Sequence, residues 1–256
     1  MVGVDTYWVL VLALLGHQLV WFGVSIFKKR NDVADVAWGL GFVWVAWLAY
    51  FLGEANERAW LVNVLVTVWG VRLAVHIHKR NRGKAEDFRY AQWRREWKHF
   101  YLRSFLQVFM LQGLFLLIIV WPVMYTNLAA PEPWHVWDVV GTVVWLIGFG
   151  FESIGDYQLA QFKRDPAHRG KLITTGLWRY SRHPNYFGEA VQWWGIFMIA
   201  CAVSGWITVV SPLLITYLLR YVSGVPMLER KYATHPDFEE YKRKTSVFFP
   251  LPHVLR

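Results

Sequence analysis

Seven ionisable side chains stand inside or at the edge of long apolar stretches, and they are the first candidates for chemistry. They are Asp35, Arg72, His76, Glu152, Asp156, Glu189 and Arg220. A charge inside a membrane is costly and is a functional candidate by default. Arg72 and His76 are four residues apart, as are Glu152 and Asp156, so each pair shares a helix face. Arg220 could simply reach the lipid headgroups by snorkelling, but short acids cannot, and the combined pattern favours a polar cavity.

Two polar segments accompany these residues and suit a ligand that carries phosphates. The first covers 78–90 and the second covers 176–189. In the second, Arg179, Arg182 and His183 come directly before a predicted helix start, where free N–H groups and the positive end of the helix dipole attract phosphates. Attraction to anionic lipid headgroups is the plainer alternative. A lipid tether needs only charge, however, and not the Tyr, Asn, Pro and Glu residues that are interleaved here.

Other kinds of site find little support in the sequence. Cys201 is the only cysteine, which excludes a disulfide scaffold and Cys-based zinc or iron–sulfur sites. The nine histidines form no HExxH motif, so no metal site is expected. The segments 39–41 and 148–150 begin a Gly-x-Gly dinucleotide motif but lack its third glycine. Small residues in apolar helices more often serve helix packing.

The elements that must position these residues are apolar helices. The 256 residues are 55% hydrophobic, include 17 Trp and carry a net charge of +9, which points to a membrane rather than to nucleic acid. About 20 helical residues span a bilayer core. The candidate stretches are about 7–27, 36–52, 60–77, 104–125, 138–160, 186–203 and 206–222. We predict an all-α bundle of about seven transmembrane helices that forms one domain over 1–256, although hydropathy alone also permits five or six helices.

The positions of Lys and Arg favour seven helices. With seven spans, 25 of the 27 Lys and Arg residues fall on one side, in 28–35, 78–103, 160–185 and the C-terminal tail. The exceptions are Arg58, in an opposite loop, and Arg72, inside the third helix. Because cytoplasmic loops are rich in Lys and Arg, we expect the N-terminus outside and the C-terminus in the cytoplasm. Helix direction then puts all seven ionisable residues at the cytoplasmic depth.

Several motifs resemble a known family. The segment 177–189, which reads LWRYSRHPNYFGE, looks like the C-terminal signature shared by the membrane steroid 5-alpha-reductases and the sterol reductases. The tail over 229–250 is similar to the ending of those proteins. Upstream, 69–73 and 86–90 resemble the bacterial branch of the 5-alpha-reductase-like family. The resemblance covers most of the chain, from about Asp35 onward, and a related Arg-His-Pro segment occurs in the isoprenylcysteine carboxyl methyltransferases.

The resemblance implies a helical membrane enzyme that uses NADPH to reduce a carbon–carbon double bond conjugated to a ketone, as in 4-ene-3-oxo steroids. Asn185, Gly188 and Glu189 match signature residues that face the cofactor. Asp156 matches an Asp of the preceding helix that contacts it, and Lys163 stands where relatives have Arg. The other cofactor-binding candidates are Arg72, Asp87, Arg89, Tyr90, Arg179, Tyr180, Arg182, His183 and Arg220. Most of the cofactor site is therefore expected in the C-terminal half, at about 138–256.

The catalytic candidates are Asp35, Trp69 and Glu189. Hydride must reach the β-carbon of an enone while negative charge grows on the ketone oxygen, and a hydrogen-bond donor aimed at that oxygen lowers the barrier. Animal relatives pair a Glu in helix two with a Tyr in helix three near the ketone. Asp35 is the nearest acid here, and Trp69 lies near the Tyr position. Asp35 can donate if it is protonated, or it can orient a Tyr, while Glu189 can bond the nicotinamide amide.

Two other functions stay open at this point. A methyltransferase that uses S-adenosylmethionine and a lipid or isoprenylcysteine-type acceptor would also need a basic cytoplasmic site. A non-enzymatic transporter or lipid-binding scaffold usually places polar groups near the midplane between repeats, and no repeat is evident here. We expect a monomer whose partners are a lipophilic small-molecule substrate and membrane lipids, without nucleic acid. It would reside in the inner membrane of a bacterium or the endoplasmic reticulum of a eukaryote, with its cofactor site facing the cytoplasm.

Overall fold

A computed structural model of the chain describes residues 4–252, and its regular structure is helical. The α-helices within that range are α1 (Val4–Lys28), α2 (Val33–Leu52), α3 (Glu57–Asn81), α4 (Phe88–Glu96), α5 (Phe100–Ser104), α6 (Leu111–Ile119), α7 (Trp121–Leu128), α8 (Val136–Arg164), α9 (Pro184–Ser204), α10 (Val210–Tyr217), α11 (Val225–Tyr232) and α12 (Phe238–Lys244). Two π-helical segments, Phe105–Met110 and Leu218–Val222, follow α5 and α10. The one β contact in the described range is an isolated bridge between Ser181 and Ser246. The all-α prediction is therefore confirmed.

Seven helical runs in the described part of the chain are long and apolar enough to cross a membrane. They are Val4–Lys28, Val33–Leu52, Glu57–Asn81, Phe100–Ile119, Val136–Arg164, Pro184–Ser204 and Ile207–Tyr232. Each run overlaps one predicted stretch, so the prediction of a multi-pass membrane protein with about seven spanning helices is confirmed. Large apolar side chains such as Leu12, Phe51 and Leu146 are exposed on these helices because lipid tails are as apolar as they are. The side on which each terminus lies stays a prediction.

Two spans differ in detail from the predicted ones. The fourth, predicted to be continuous over 104–125, is interrupted after Ile119, and α7 begins with Pro122 in its first turn. A proline lacks the N–H and clashes with the carbonyl four residues earlier, which ends a helix. The seventh, predicted over 206–222, begins with a 3-10 turn and includes a π-helical segment before α11. Hydropathy does not register such breaks because the chain stays apolar on both sides of them.

The helices group into two compact units, which we describe separately. Unit 1 comprises Met1–His135 and Ala200–Thr208, and unit 2 comprises Val136–Ile199 and Val209–Arg256. The division assigns the early ionisable residues, including Asp35, to unit 1. It assigns Asp156, Glu189 and the signature segment to unit 2. The prediction of a single domain stays a prediction.

The core of unit 1 lies where α2 crosses α3. Gly39 and Gly70 approach so closely that a Cβ on either glycine would lie 2.5 Å from the carbonyl oxygen of the other. Helices in membranes commonly pack through small residues in this way. Beside the crossing, the buried rings of Phe42 and Trp69 meet edge to face with centroids 5.2 Å apart. This packing holds α2, whose first turn carries Asp35.

Unit 2 is organised by a glycine seam between α8 and α9. A Cβ on Gly141 would lie 2.5 Å from the carbonyl oxygen of Gly195, and one on Gly188 would lie 2.5 Å from that of Gly148. The two contacts are seven residues apart on each helix, so they form one stripe along both helices. Gly148 therefore serves packing, whereas a Cβ on Gly150 would meet nothing within 4 Å.

The segment 176–183, which joins α8 to α9, is held from both sides. The indole N–H of Trp178 donates to the carbonyl oxygen of Gly155 at 3.1 Å, and the Tyr241 hydroxyl donates to the Trp178 carbonyl oxygen at 2.6 Å. The Ser181 hydroxyl donates to the Phe248 carbonyl oxygen at 2.8 Å. These bonds tie the segment to α8 and to the C-terminal tail, which fixes the chain before α9 begins.

Candidate functional site

The first polar site belongs to unit 1 and is called the Asp35 cluster: Asp35, Asp87, Arg89 and Tyr90. The Tyr90 hydroxyl donates to Asp35 Oδ1 at 2.6 Å, and Arg89 Nη2 donates to Asp35 Oδ2 at 2.9 Å. Asp87 caps α4, because its Oδ1 accepts the backbone N–H of Arg89 at 3.1 Å and also its Nε at 2.9 Å. The fold thus brings together four residues that the sequence had nominated.

Arg89 dominates the electrostatics of this cluster. Burial alone would lower the pKa of Arg89, but the charge of Asp35 and the bond to Asp87 raise it instead. Burial alone would raise the pKa of Asp87, yet the bond and charge of Arg89 hold that pKa below its ordinary value. Burial raises the pKa of Tyr90 well above its ordinary value, and Asp35 adds to the rise. Arg89 therefore stays a cation, and Tyr90 stays a protonated phenol at neutral pH.

A second set of ion pairs braces the Asp35 cluster. Arg30 donates from Nε and Nη2 to the two carboxylate oxygens of Asp32 at 2.6 Å each, and Asp32 Oδ2 also accepts the backbone N–H of Asp87 at 3.2 Å. Arg94 makes a similar two-pronged contact with Glu86, at 2.9 and 3.0 Å. Isolated surface pairs contribute little, but two-pronged pairs in a network fix geometry. They tie the loop after α1 to the start of α4.

Two other candidates of unit 1 lie elsewhere on α3. Trp69 packs on Phe42, which is seven residues, or two helical turns, beyond Asp35 on α2. Arg72 lies half-buried one turn further along α3, four residues before His76. The structure therefore puts Tyr90 in direct contact with Asp35, and a catalytic role for Trp69 stays a prediction.

The second polar site belongs to unit 2 and is called the Asp156 cluster: Glu152, Asp156, Asn185, Glu189 and Gln192. On α8, Glu152 and Asp156 are one turn apart, and on α9 the other three share a face at spacings of four and three residues. Asn185 Nδ2 donates to Asp156 Oδ1 at 3.1 Å, and Gln192 Nε2 donates to Glu152 Oε2 at 2.5 Å. Asp156 and Glu189 are only 7% and 8% exposed.

Two acceptors of the Asp156 cluster remain open. Within residues 4–252, the buried Asn185 Oδ1 and Gln192 Oε1 have no hydrogen-bond partner. The orientation of each amide follows from its neighbour, because a carboxylate only accepts and so faces the NH₂ group. An unsatisfied buried acceptor costs about 1–3 kcal/mol. A ligand with N–H or O–H donors would satisfy both oxygens.

Arg182 and His183 support the start of α9. Nε and Nη2 of Arg182 both lie 2.8 Å from Glu229 Oε1, and its Nη1 donates to the Thr245 carbonyl oxygen at 2.6 Å. His183 Nε2 lies 3.4 Å from the same Glu229 oxygen, and its ring stacks on Tyr186 with centroids 5.6 Å apart. Burial lowers the pKa of His183 in spite of Glu229. Both side chains are therefore engaged with α11, α9 and the tail.

Exposed candidates lie beside the Asp156 cluster. Arg179 follows Trp178, whose indole bonds the carbonyl next to Asp156. It lines a cavity of about 510 Å³, together with Lys171, Leu172, Thr174, Asp237, Glu240, Tyr241, Lys244 and Thr245. Tyr180 and Lys163 are exposed. The cavity is thus lined by the cations Lys171, Arg179 and Lys244, and Arg179 belongs to a segment that is bonded to α8 through Trp178.

Two further candidates of unit 2 differ in their surroundings. Arg220 is half-buried in the π-helical segment, and its guanidinium carbon lies 4.7 Å from the ring centroid of Tyr221. Its positive charge contributes to lowering the pKa of His183, after the effects of burial, Glu229 and Arg182. Gly188 is a helix-contact residue, because a Cβ there would lie 2.4 Å from the backbone nitrogen of Glu152.

Three participating residues had no role assigned from the sequence. Glu152 was noted as an ionisable residue, and its place four residues before Asp156 was the available signal. Gln192 follows Asn185 by seven residues on the same helix face, a signal that could have found it. Glu229 is 47 residues from Arg182 in the chain, so no local pattern pointed to their pairing.

The fold and these two clusters define a multi-pass helical membrane protein with buried polar sites near its helix ends. Residues 21–245 match a family described as "Protein of unknown function (DUF1295)", and the chain belongs to that family. No solved structure matches the chain.

Three relatives are similar to the chain, and the names of two of them state an activity. The chain is 26% identical to an uncharacterized protein of Schizosaccharomyces pombe, over 94% of this chain and 78% of that protein. It is 25% identical to 3-oxo-5-alpha-steroid 4-dehydrogenase 1 of Bos taurus over 44% of this chain and 41% of that protein. With the Rattus norvegicus protein of the same name, identity is 26% over 46% and 44%. The match spans less than half the length of these dehydrogenases, and it confirms the resemblance to the steroid 5-alpha-reductases at the level of a reductase-like family.

Proposed function

We propose that the protein is a membrane-embedded reductase that uses NADPH to reduce a carbon–carbon double bond conjugated to the ketone of a steroid-like lipid. The observation that carries the proposal is the Asp156 cluster, with its two open, buried acceptors. The relatives named 3-oxo-5-alpha-steroid 4-dehydrogenase 1 support the choice of reaction and substrate class.

The Asp156 cluster fits the carboxamide end of a nicotinamide cofactor. A carboxamide N–H can donate to Asn185 Oδ1, and Gln192 Oε1, about 10 Å further along α9, is left for another N–H or O–H donor of the cofactor. Glu189 lies between them on the same face of α9 and adds carboxylate oxygens. When bound, NADPH supplies the hydride. The work of these side chains is to fix the ring that carries it and to exclude water from a buried site.

The phosphates of the cofactor need cations, and the flanking segments of unit 2 supply them. Arg179 lines the 510 Å³ cavity with Lys171 and Lys244, and Lys163 is exposed at the end of α8. In this proposal Arg182 and His183 are positioning residues, because Glu229 engages both of them. Arg72 and Arg220 stay candidates for contacts with the cofactor, as does Tyr180.

The Asp35 cluster is proposed to supply the hydrogen-bond donor for the ketone oxygen. Tyr90 remains a protonated phenol, and its hydroxyl donates to Asp35 while Arg89 holds the other carboxylate oxygen. Such a hydroxyl can turn to an oxygen that gains negative charge in the transition state. Trp69 offers only an indole N–H, which is a far weaker acid than a phenol. Tyr90 is thus the proposed donor, and Asp35 and Arg89 position it.

Turnover of an enone steroid tests the proposal. Purified protein with NADPH and a 4-ene-3-oxo steroid should consume one NADPH for each steroid that becomes heavier by two hydrogens. Replacing Asn185 by Ala should lower kcat/KM by about 10²-fold, because a buried ligand contact of this kind contributes up to about 3 kcal/mol. Glu239→Gln, on the exposed face of α12, is the matched control and should leave turnover unchanged.

The methyltransferase alternative gives the opposite result in the same experiment. Transfer of a methyl group from S-adenosylmethionine to an isoprenylcysteine-type acceptor, without oxidation of NADPH, would contradict the reductase proposal. Full turnover by Asn185→Ala would contradict the assignment of the Asp156 cluster alone.

A further inference from the structure

A separate cleft lies at the other end of α2 and α3 from the Asp35 cluster. It has a volume of about 520 Å³ and opens where α2 ends and α3 begins. Its lining residues are Tyr50, Ala55, Asn56, Glu57, Trp60, Leu61 and Trp134. Three of these seven are aromatic, and Glu57 is the one with a charge. The proposed reduction makes no use of this cleft.

Side-chain bonds build the cleft by joining the start of α3 to the loop before α8. Arg58 is only 4% exposed, and its guanidinium donates to the carbonyl oxygens of Glu132 and Pro133 at 3.4 and 2.5 Å. The indole N–H of Trp134, the next residue, donates to the Glu57 carboxylate. Arg58, in the first turn of α3, thus clamps the loop that carries Trp134.

The walls of the cleft are open and their surroundings are acidic. Trp60 and Trp134 are 55% and 56% exposed, so their ring faces are available. Glu54 and Glu57 are exposed beside the cleft, whereas the opposing charge of Arg58 is buried under two carbonyl groups. An aromatic face carries a negative quadrupole, so the walls and the carboxylate favour the same kind of ligand, a cation.

We propose that this cleft binds a quaternary ammonium group. A primary ammonium needs acceptors for three N–H donors, and Glu57, the one carboxylate in the lining, also accepts the bond from Trp134. A quaternary ammonium has no N–H group, so aromatic faces and one nearby carboxylate suit it. Aromatic residues that merely mark the membrane interface need neither a clamping arginine nor a carboxylate between them.

Titration calorimetry with tetramethylammonium chloride tests the proposal directly. The purified protein, in a detergent without a quaternary ammonium head, should bind tetramethylammonium saturably and bind methylammonium more weakly. Trp60→Leu and Glu57→Gln should each weaken binding by about fivefold, which corresponds to the loss of one cation–π or ionic contact at an open site. Trp206→Leu is the matched control, because Trp206 is 72% exposed and does not line the cleft.

A series of substitutions at Trp60 distinguishes the loss of a binding contact from misfolding of the variant. Trp60→Phe keeps a smaller ring, so affinity should decrease in the order Trp, Phe, Leu at this position. Absence of saturable binding by the wild-type protein, or equal affinity in all three proteins, would overturn the proposal.

Two lipid compositions identify where the ammonium group comes from. In nanodiscs of phosphatidylcholine, a lipid headgroup in the cleft would weaken tetramethylammonium binding relative to nanodiscs of phosphatidylethanolamine, which is also zwitterionic but carries a primary ammonium. Equal affinity in both would assign the site to a soluble quaternary amine. Either result supports recognition of a quaternary ammonium group, provided that the Trp60 series holds.

Discussion

The Asp35 cluster and the Asp156 cluster use similar residue types but satisfy them differently. In the Asp35 cluster, carboxylates meet an arginine and a phenol, and further ion pairs surround them. In the Asp156 cluster, carboxylates meet amide N–H groups, and two amide oxygens have no partner within residues 4–252. The Asp35 cluster, which we call a closed network, is satisfied by its own residues. The Asp156 cluster, which we call an open network, has two acceptors without a donor.

This difference separates two tasks that polar residues perform in a membrane protein. A closed network of ion pairs fixes positions, and removing one partner leaves a buried charge uncompensated. An open network costs stability until a ligand completes it, which is typical of a binding site. In the proposed function, the Asp35 cluster therefore positions a donor and the Asp156 cluster recognises a cofactor.

The largest expected effect breaks the Asp35 cluster at its donor. Tyr90→Phe should lower kcat by about 10²–10³-fold and change KM little, because the hydroxyl stabilises a charge that develops on the ketone only in the transition state. The ring remains to fill its buried site, so the protein should stay folded. Steady-state kinetics with Tyr101→Phe, an exposed tyrosine, as control checks this. An unchanged kcat would remove Tyr90 from the mechanism.

The second largest expected effect is on stability, and it tests the contact between α8 and α9 at Gly188, beside the Asp156 cluster. Gly188→Ala would put a Cβ 2.4 Å from the Glu152 nitrogen, so α8 and α9 must separate, at a cost of about 1–3 kcal/mol. Gly150→Ala is the matched control, because nothing lies within 4 Å of the added carbon. Thermal unfolding should show a clear drop in Tm for the first variant and none for the second. Equal Tm values would show that the seam tolerates a methyl group.

The smallest expected effect is on the pH dependence of stability, where one titrating residue of each unit acts in a different pH range. The pKa of His183 is lowered from 6.5, so its stabilising contribution is complete above pH 6.5 and is lost as pH falls toward the folded pKa. The pKa of Asp87 is lowered from 3.8, so its contribution is complete above that value and is lost as pH falls through the folded pKa.

Tm measured from neutral to acidic pH checks both signs. His183→Gln should flatten the loss of Tm that begins just below pH 6.5, and Asp87→Asn should flatten only the loss that begins below pH 3.8. Exposure of Asp87 to water reduces its share, so the change in Asp87→Asn is expected to be about 1 kcal/mol or less. Slopes that change in the opposite windows would contradict the assignment.

Much of the fold followed from the sequence, because each membrane span must satisfy its own backbone as a helix and therefore shows as an apolar run. The break after Ile119 was not predicted, because the hydropathy is equally high on both sides of it. Pro122 was a local signal that could have indicated the break. Asp35 and Tyr90 are 55 residues apart, and only the folded chain shows that they meet. The Asp156 cluster was more accessible, because Asn185, Glu189 and Gln192 share one face of a single helix.

The most direct test of the central claim is the thermal stabilisation of the protein by NADPH. At a concentration of 100 times Kd, NADPH should stabilise the wild-type protein by about 2.7 kcal/mol, seen as a rise in Tm. Tyr90→Phe should keep that rise, since the Asp35 cluster positions a donor, and Asn185→Ala should lose most of it. An equal rise in Asn185→Ala, or a rise with S-adenosylmethionine and none with NADPH, would contradict the account.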